Sequence, residues 1–328
     1  MPTVFRPRAA LSVTALAAAA LLGACGSTPK MPTEPITLGT GAQGGAFYDY
    51  GPGIANLVTG VTGLPIVIRI TAGSIENIQR VNAGTMETAL ANMGPAFEGW
   101  MGSEKWTTGQ QLRDMRALLP MYETPFHVAA LRSAGITSMK QLDKKRVGVG
   151  PKDGPAELIF RGFAERLGIA PVIVNGSPAE MGKLALDGKI DAFWYGAGLP
   201  LGPMEQMAKA QPTVIFGFTD EESAVIRKRF PYLAPNVIPA NTYAGQTAPV
   251  STVAVWNFII AHKSVPDATA YWFVKAVLDN PEQAAKAHAA ANATVTKNAT
   301  ANTFMTFHPG AVRYYREVGV ALPAELAP

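Results

Sequence analysis

Cysteine is almost absent from this chain. Cys25 is the only one in 328 residues, which excludes an intrachain disulfide and any cysteine-built metal cluster. Histidine is nearly as scarce: His127, His262, His288 and His308 show no metal-ligand spacing, so no metal site is expected, and His127 reads as a structural histidine within an alternating stretch. There is no calcium loop, no Gly-Lys-Ser phosphate loop and no Gly-x-Ser-x-Gly nucleophile turn. Charged residues make up only 16% of the chain, with a net charge of +4 and no basic cluster, which leaves no electrostatic footprint for nucleic acid. With no catalytic constellation and no cofactor called for, the chain reads as a binder and not an enzyme.

A run long enough to span a membrane is also missing. The most apolar stretch, Ala9 to Leu22, is shorter than the roughly 20 residues a span needs. It follows Arg6 and Arg8 and runs into Leu22-Gly-Ala-Cys25, the layout of an export signal ending in a lipobox. Residues 1–24 are expected to be a lipoprotein signal peptide and Cys25 the lipidated first residue of the mature chain. Residues 25–35 then form a flexible tether. Gly26 in place of Asp does not favour inner-membrane retention, and the choice of membrane stays open. Cleavage removes two arginines and no acid, leaving a nearly neutral mature chain.

What the chain has in quantity is glycine, placed with purpose. Pro35-Ile-Thr-Leu-Gly-Thr-Gly-Ala-Gln-Gly-Gly-Ala-Phe-Tyr-Asp-Tyr50 reads as a strand, a glycine-rich turn and a helix start. Glycines there lower the cost of positive φ and let backbone N–H groups approach an anion. Gly39, Gly41 and Gly44 also match Gly-x-Gly-x-x-Gly, but a dinucleotide site wants an acid at the end of the next strand. Pro65-Ile-Val-Ile-Arg-Ile-Thr71 ends in Arg and Thr. A small-anion site is preferred to a dinucleotide site, with a ligand-free tight turn as the plain alternative.

The remaining roughly 300 residues exceed what one core supports, so two lobes are expected. Strand-like runs at Ile36–Leu38, Ile66–Ile70 and Thr88–Ala91 alternate with helical stretches at Ala46–Val58 and Ser74–Ala83, the pattern of a parallel α/β layer. The pattern restarts with a strand at Phe126–Leu131, a strand at Arg146–Gly150, the turn Gly150-Pro-Lys-Asp-Gly-Pro155 and a helix over Ala156–Leu167. A strand at Val172–Val174, a helix over Pro178–Leu186 and a strand at Ile190–Tyr195 complete that unit. Val250–Ala261 reads as a long strand returning across the molecule, followed by helices over Pro266–Asn280 and Pro281–Ala293. Lobe I is therefore assigned to 36–124 with 250–328 and lobe II to 125–249, with a hinge at Pro125–Leu131 and Ser251–Trp256.

Ligands of open α/β sheets sit at the carboxyl ends of the strands. Those ends carry Thr40, Gln43, Gly44, Gly45, Phe47 and Tyr48, then Ser74, Asn77 and Asn92, and in lobe II Asp153, Gly154, Trp194 and Tyr195. Hydroxyls, amides, bare backbone and aromatics suit a recognition cleft. Ser74 is read as a helix cap or a ligand contact, Asn92 as a ligand contact, and Trp194 and Tyr195 as cleft or core.

Four stretches carry a resemblance: Ile36-Thr-Leu-Gly-Thr-Gly41 with Gly44, Gly45 and Tyr48; Thr71-Ala-Gly-Ser-Ile-Glu-Asn77; Ser251-Thr-Val-Ala-Val255; and His308-Pro-Gly-Ala-Val-Arg-Tyr-Tyr-Arg-Glu317. Over nearly its whole mature length the chain resembles the TAXI-type solute-binding subunits of tripartite ATP-independent periplasmic (TRAP) transporters. The resemblance implies a type II periplasmic-binding-protein fold, two α/β lobes around a hinge with a central ligand cleft. It also implies a small carboxylate ligand, such as a glutamate-like amino acid or a 2-oxo dicarboxylate. The implied partners are the sodium-coupled TRAP membrane permease subunits, and the implied location is the periplasm of a Gram-negative bacterium, on a lipid anchor. A periplasmic sensor lipoprotein that shows its ligand to a signalling partner is the alternative. The chain departs from the family at Ala42-Gln43, at Asp153-Gly154-Pro155-Ala156 in place of Gly-Ser-Gly-Thr, and at Leu199 in place of a usual His. Asp153 adds a carboxylate and so favours a guest that bears an ammonium group.

Overall fold

The computed structural model describes residues 1–2, 28–43 and 45–327. The signal segment, Cys25 and Gly44 therefore lie outside the described residues. Chain contacts separate Met1–Lys30 from Met31–Pro328, and the second unit holds all of the elements below.

Its first half runs β1 (Ile36–Gly39), α1 (Ala46–Thr62), β2 (Ile66–Arg69), α2 (Ser74–Asn82), β3 (Thr88–Asn92), α3 (Met93–Met101) and β4 (Met115–Leu131). There follow β5 (Arg146–Val149), α4 (Pro155–Leu167), β6 (Val172–Asn175), α5 (Pro178–Leu186), β7 (Ala192–Gly196), α6 (Gly202–Ala210) and β8 (Thr213–Phe216). The chain continues through α7 (Asp220–Arg229), β9 (Leu233–Ile238), β10 (Val250–His262), α8 (Asp267–Leu278), α9 (Pro281–Ala287) and α10 (Pro309–Glu317). The expected alternation of strand and helix is present. The last alanine-rich helix is shorter than expected, because the chain leaves it at His288 and resumes as a 3₁₀ segment over Ala289–Ala293.

Local chemistry sets the helix ends. α1, α3 and α4 stop at Gly63, Gly102 and Gly168, each with φ between 66° and 74°, a conformation that costs glycine little. α5 and α7 start with capping boxes, Ser177 with Glu180 and Thr219 with Glu222.

The strands order as β2-β1-β3-β10-β4-β7-β5-β6, with β8 also on β4 and β9 on β10. β4 is 17 residues long and serves both halves: Met115–Pro125 pairs with β10, and Phe126–Leu131 pairs with β7 and β8. Register fixes which strand ends meet. β3 and β4 are both antiparallel to β10, so β1, β3 and β4 run the same way. β7 runs against the second part of β4, with Gly196 opposite Phe126, and β5 is parallel to β7. The carboxyl ends of the parallel strands in both halves therefore point at one place, the segment Tyr122–Phe126.

One apolar core runs through both halves, with a smaller one around Met181, Met204 and Met207. Trp194 is sealed among Phe126, Phe160 and Phe163 at centroid separations of 5.3, 5.0 and 5.9 Å. On the other side, α10 lies against α8, and a Cβ on Gly310 would strike the Asp267 carbonyl and the Tyr271 amide. Beside it, His308 Nδ1 accepts the Gly310 N–H at 3.2 Å. The His308-Pro-Gly310 motif is thus a helix start shaped for close helix–helix approach.

Candidate functional site: the strand-end cleft

Where β1 ends, the chain is closely confined by its neighbours. Gly39, Gly41 and Gly45 are not at positive φ, which corrects the expectation of left-handed glycines there. Space is the reason for them. A Cβ at Gly39 would strike Met86 Sδ and sit 2.7 Å from Asn77 Oδ1, and one at Gly41 would sit 3.0 Å from Phe47 Cβ. Thr40 is buried at 1% exposure; its N–H donates to the Arg69 carbonyl at 2.9 Å and its hydroxyl to the same oxygen at 3.2 Å. Gln43 is exposed, while Gly45, Phe47 and Tyr48 are half-buried at the start of α1.

Asn77 organises this corner instead of facing a guest. Its Nδ2 donates to the Thr40 and Leu90 carbonyls at 2.7 and 2.8 Å, and its Oδ1 accepts from Thr71 Oγ1 at 2.8 Å. With the side chain fully buried, these bonds tie the ends of β1 and β3 to α2. Ser74 does not cap α2. Gly73 holds that position, and Ser74 Oγ accepts the Asn92 N–H at 3.0 Å. Asn92 caps α3 through the Gly94 N–H at 3.0 Å and donates to Asn257 Oδ1 at 3.3 Å.

From Asn257 the polar row continues: its Nδ2 donates to Thr124 Oγ1 at 2.7 Å and to the Tyr122 carbonyl at 2.8 Å. Asn92, Asn257, Thr124 and Tyr122 thus line the meeting point of β3, β10 and β4. Only Asn92 was anticipated from sequence. The others are brought together by sheet register across more than a hundred residues, for which the sequence carries no local signal.

In the second half, Asp153 is exposed with φ of 57°, and its N–H donates to Glu157 Oε2 at 2.8 Å. The buried carboxylate of this turn is Glu157, at 2% exposure. It also accepts from Asn175 Nδ2 at 2.9 Å and pairs with Arg161, and these donors hold its pKa below the usual range against the opposing effect of burial. Gly154 starts α4, where a Cβ would approach the Pro151 carbonyl at 2.9 Å. Trp194 lies wholly in the aromatic core. Tyr195 is half-buried, its Cε2 3.2 Å from where a Gly150 Cβ would stand. His127 is structural as expected: fully buried, it contacts the Pro125 carbonyl and the Tyr243 hydroxyl, and burial lowers its pKa to about 4.

Three helices that follow strand ends, α1 and α2 in the first half and α4 in the second, begin at Gly45, Gly73 and Gly154 without a side-chain cap. Backbone donors and the positive helix end are thereby left for an anion. A separate groove of about 510 Å³, lined by Glu123, Asp220, Arg227, Asn236 and Thr252 among others, draws on Glu123, whose side chain alternates to the opposite face of β4 from Tyr122 and Thr124.

The family model described as NMT1-like matches residues 38–319. The chain belongs to the NMT1-like family. Among solved structures, MatC (Rpa3494) from Rhodopseudomonas palustris with bound malate is similar at a TM-score of 0.54 and 15% identity, covering 83% of this chain and 93% of that one. The periplasmic binding protein BugD is similar at 0.53 and 14%, covering 89% and 100%. R. palustris Rpa4515 with adipate is similar at 0.51 and 16%, covering 78% and 86%. At these identities the likeness concerns the fold, a mixed α/β architecture that this NMT1-like chain shares with periplasmic binding proteins. No helix among the described residues is long and apolar enough to cross a membrane.

Proposed function

We propose that this chain is the extracytoplasmic solute-binding protein of a TAXI-type TRAP transporter. It takes a small carboxylate, a glutamate-like amino acid or a 2-oxo dicarboxylate, in the cleft at Tyr122–Phe126 and passes it to a sodium-coupled permease. The observation that carries this reading is the set of uncapped glycine starts, at α1, α2 and α4, on the strand-end side of the two halves. Two neighbours of the same fold hold the dicarboxylates malate and adipate, which supports a carboxylate guest. Lobe I is 36–124 with 250–328 and lobe II is 125–249, closing about the point where β4 passes from one half to the other. The mature protein sits in the periplasm on a lipid at Cys25.

Calorimetric titration with L-glutamate, 2-oxoglutarate and malate tests the ligand class, and sodium-dependent uptake by vesicles holding the permease tests the partner. Binding of one of these acids without turnover is expected; turnover, or failure of all three to bind, overturns the reading. The exposed Asp153 carboxylate serves as the ammonium counter-charge, so Asp153→Asn should weaken L-glutamate about tenfold or more and leave 2-oxoglutarate unchanged. Equal losses return Asp153 to a turn residue.

A further inference from the structure

Three buried side-chain atoms among the described residues have no hydrogen-bond partner: the Tyr122 hydroxyl, the Trp194 indole nitrogen and His308 Nε2. A buried polar atom without a partner costs folding free energy and calls for a reason. Trp194 is enclosed by aromatic rings and His308 lies under the α8–α10 contact. Tyr122 is placed differently, in the segment on which the strand ends of both halves converge.

Its ring lies 5.4 Å from that of Tyr50 and 6.1 Å from that of His288. The Cε2 edge, next to the hydroxyl, is 3.5 Å from where a Cβ of Gly198 would stand, and that same point is 3.4 Å from Ala290 Cβ. Gly198 follows β7, so the hydroxyl end of Tyr122 lies where the two halves meet. The strand beneath it is pinned by Asn257 on the Tyr122 carbonyl at 2.8 Å. Neighbouring Tyr50 has the same burial, yet its hydroxyl is bonded to Thr294 Oγ1 at 2.8 Å. Burial, with Tyr50 and Asp49 nearby, pushes the Tyr122 phenol well up, so it remains a neutral donor.

We propose that the Tyr122 hydroxyl donates a hydrogen bond to an oxygen of the solute, a carboxylate or keto group, held between the two halves. This assignment rests on the solute-binding reading above. It makes Tyr122 a direct specificity contact: a solute that presents no acceptor oxygen at that point leaves the hydroxyl unpaired.

The test uses the purified full chain as wild type, Tyr122→Phe and Tyr50→Phe, melted without added solute and titrated with L-glutamate and 2-oxoglutarate. Tyr122→Phe should melt at or above the wild type, because no protein partner is lost. It should bind the acid that the wild type takes about ten- to a hundredfold more weakly. Tyr50→Phe should melt lower, because Thr294 loses its partner. A Tyr122→Phe protein that melts several degrees below wild type has lost a protein hydrogen bond, and one that binds as tightly as wild type has lost no solute contact. Either result overturns the assignment while the solute-binding reading stands. A wild type that binds neither acid, nor malate, removes that reading, and the assignment goes with it.

Discussion

Glu98 should give the protein a stability that falls between pH 5 and pH 8. It lies on α3 with Trp106 Nε1 and the Tyr232 hydroxyl each 3.4 Å from its carboxylate. Burial raises its pKa from 4.5 to about 7, Glu104 adds to the rise, and Trp106, Tyr232 and the Arg229 charge oppose it. Arg229 is itself engaged with Glu104 at 3.7 Å. A carboxyl that binds its proton more tightly folded than unfolded stabilises the protein fully below pH 4.5, and that stability drains away as pH rises through 7. A shift of roughly 2.5 units at about 1.4 kcal/mol each amounts to about 3 kcal/mol. Glu98→Gln keeps the shape and removes the titration. Denaturant unfolding of both proteins at pH 5 and pH 8 isolates the effect, because the other titrating groups cancel in the difference. The variant should match the wild type near pH 5 and exceed it by about 2–3 kcal/mol at pH 8. A difference that does not change with pH would show that Glu98 titrates normally and refute the argument.

Two further outcomes rest on geometry and a third on the sequence around Cys25. Asn77→Ala removes bonds to Thr40, Leu90 and Thr71 in a fully buried site and should cost about 2–4 kcal/mol in chemical denaturation; a loss under about 0.5 kcal/mol would mean the clamp is idle. Gly45 has φ of −96° and ψ of 152°, which valine tolerates, and its added Cβ would lie 3.3 Å from the Ala42 carbonyl. Gly45→Val should therefore weaken solute binding about tenfold with little change in melting temperature, and a large drop in melting temperature would assign the glycine to folding. Cys25→Ser should leave the processed chain in the soluble periplasmic fraction, and retention on membranes would remove the lipid anchor.

The sequence showed the strand–helix alternation and where the strand ends lie more clearly than the side chains gathered there. Strand ends and glycine turns are local signals, and Gly45 and Gly154 do begin helices at the ends that meet. The length of β4 was hidden. Pro120 and Pro125 argue against a central strand, and only Phe126–Leu131 was expected to be extended. In the structure Pro120 pairs opposite Phe258 beside a register shift, and Pro125 pairs at the point where β4 changes neighbours. The reach of Asn77 was equally hidden, since its bonding to Leu90 depends on where β3 lands. Glu157 carries no signal of its own beside Asp153, because two acids four residues apart look alike until burial separates them.

The place of β10 has a consequence for how the chain is made. Asn257–Ala261 of β10 lies between β3 and β4 and pairs with both, although those two strands were synthesised more than a hundred residues earlier. Until β10 emerges, β3 and β4 present open backbone edges toward each other's gap, and the first half has no closed sheet. Assembly of that half must therefore wait for the distant segment and proceed through contacts of high sequence separation, which makes for slow folding. A chain broken off before residue 250 would lose far more than its last quarter, because it would keep two sticky edges and no strand to cover them.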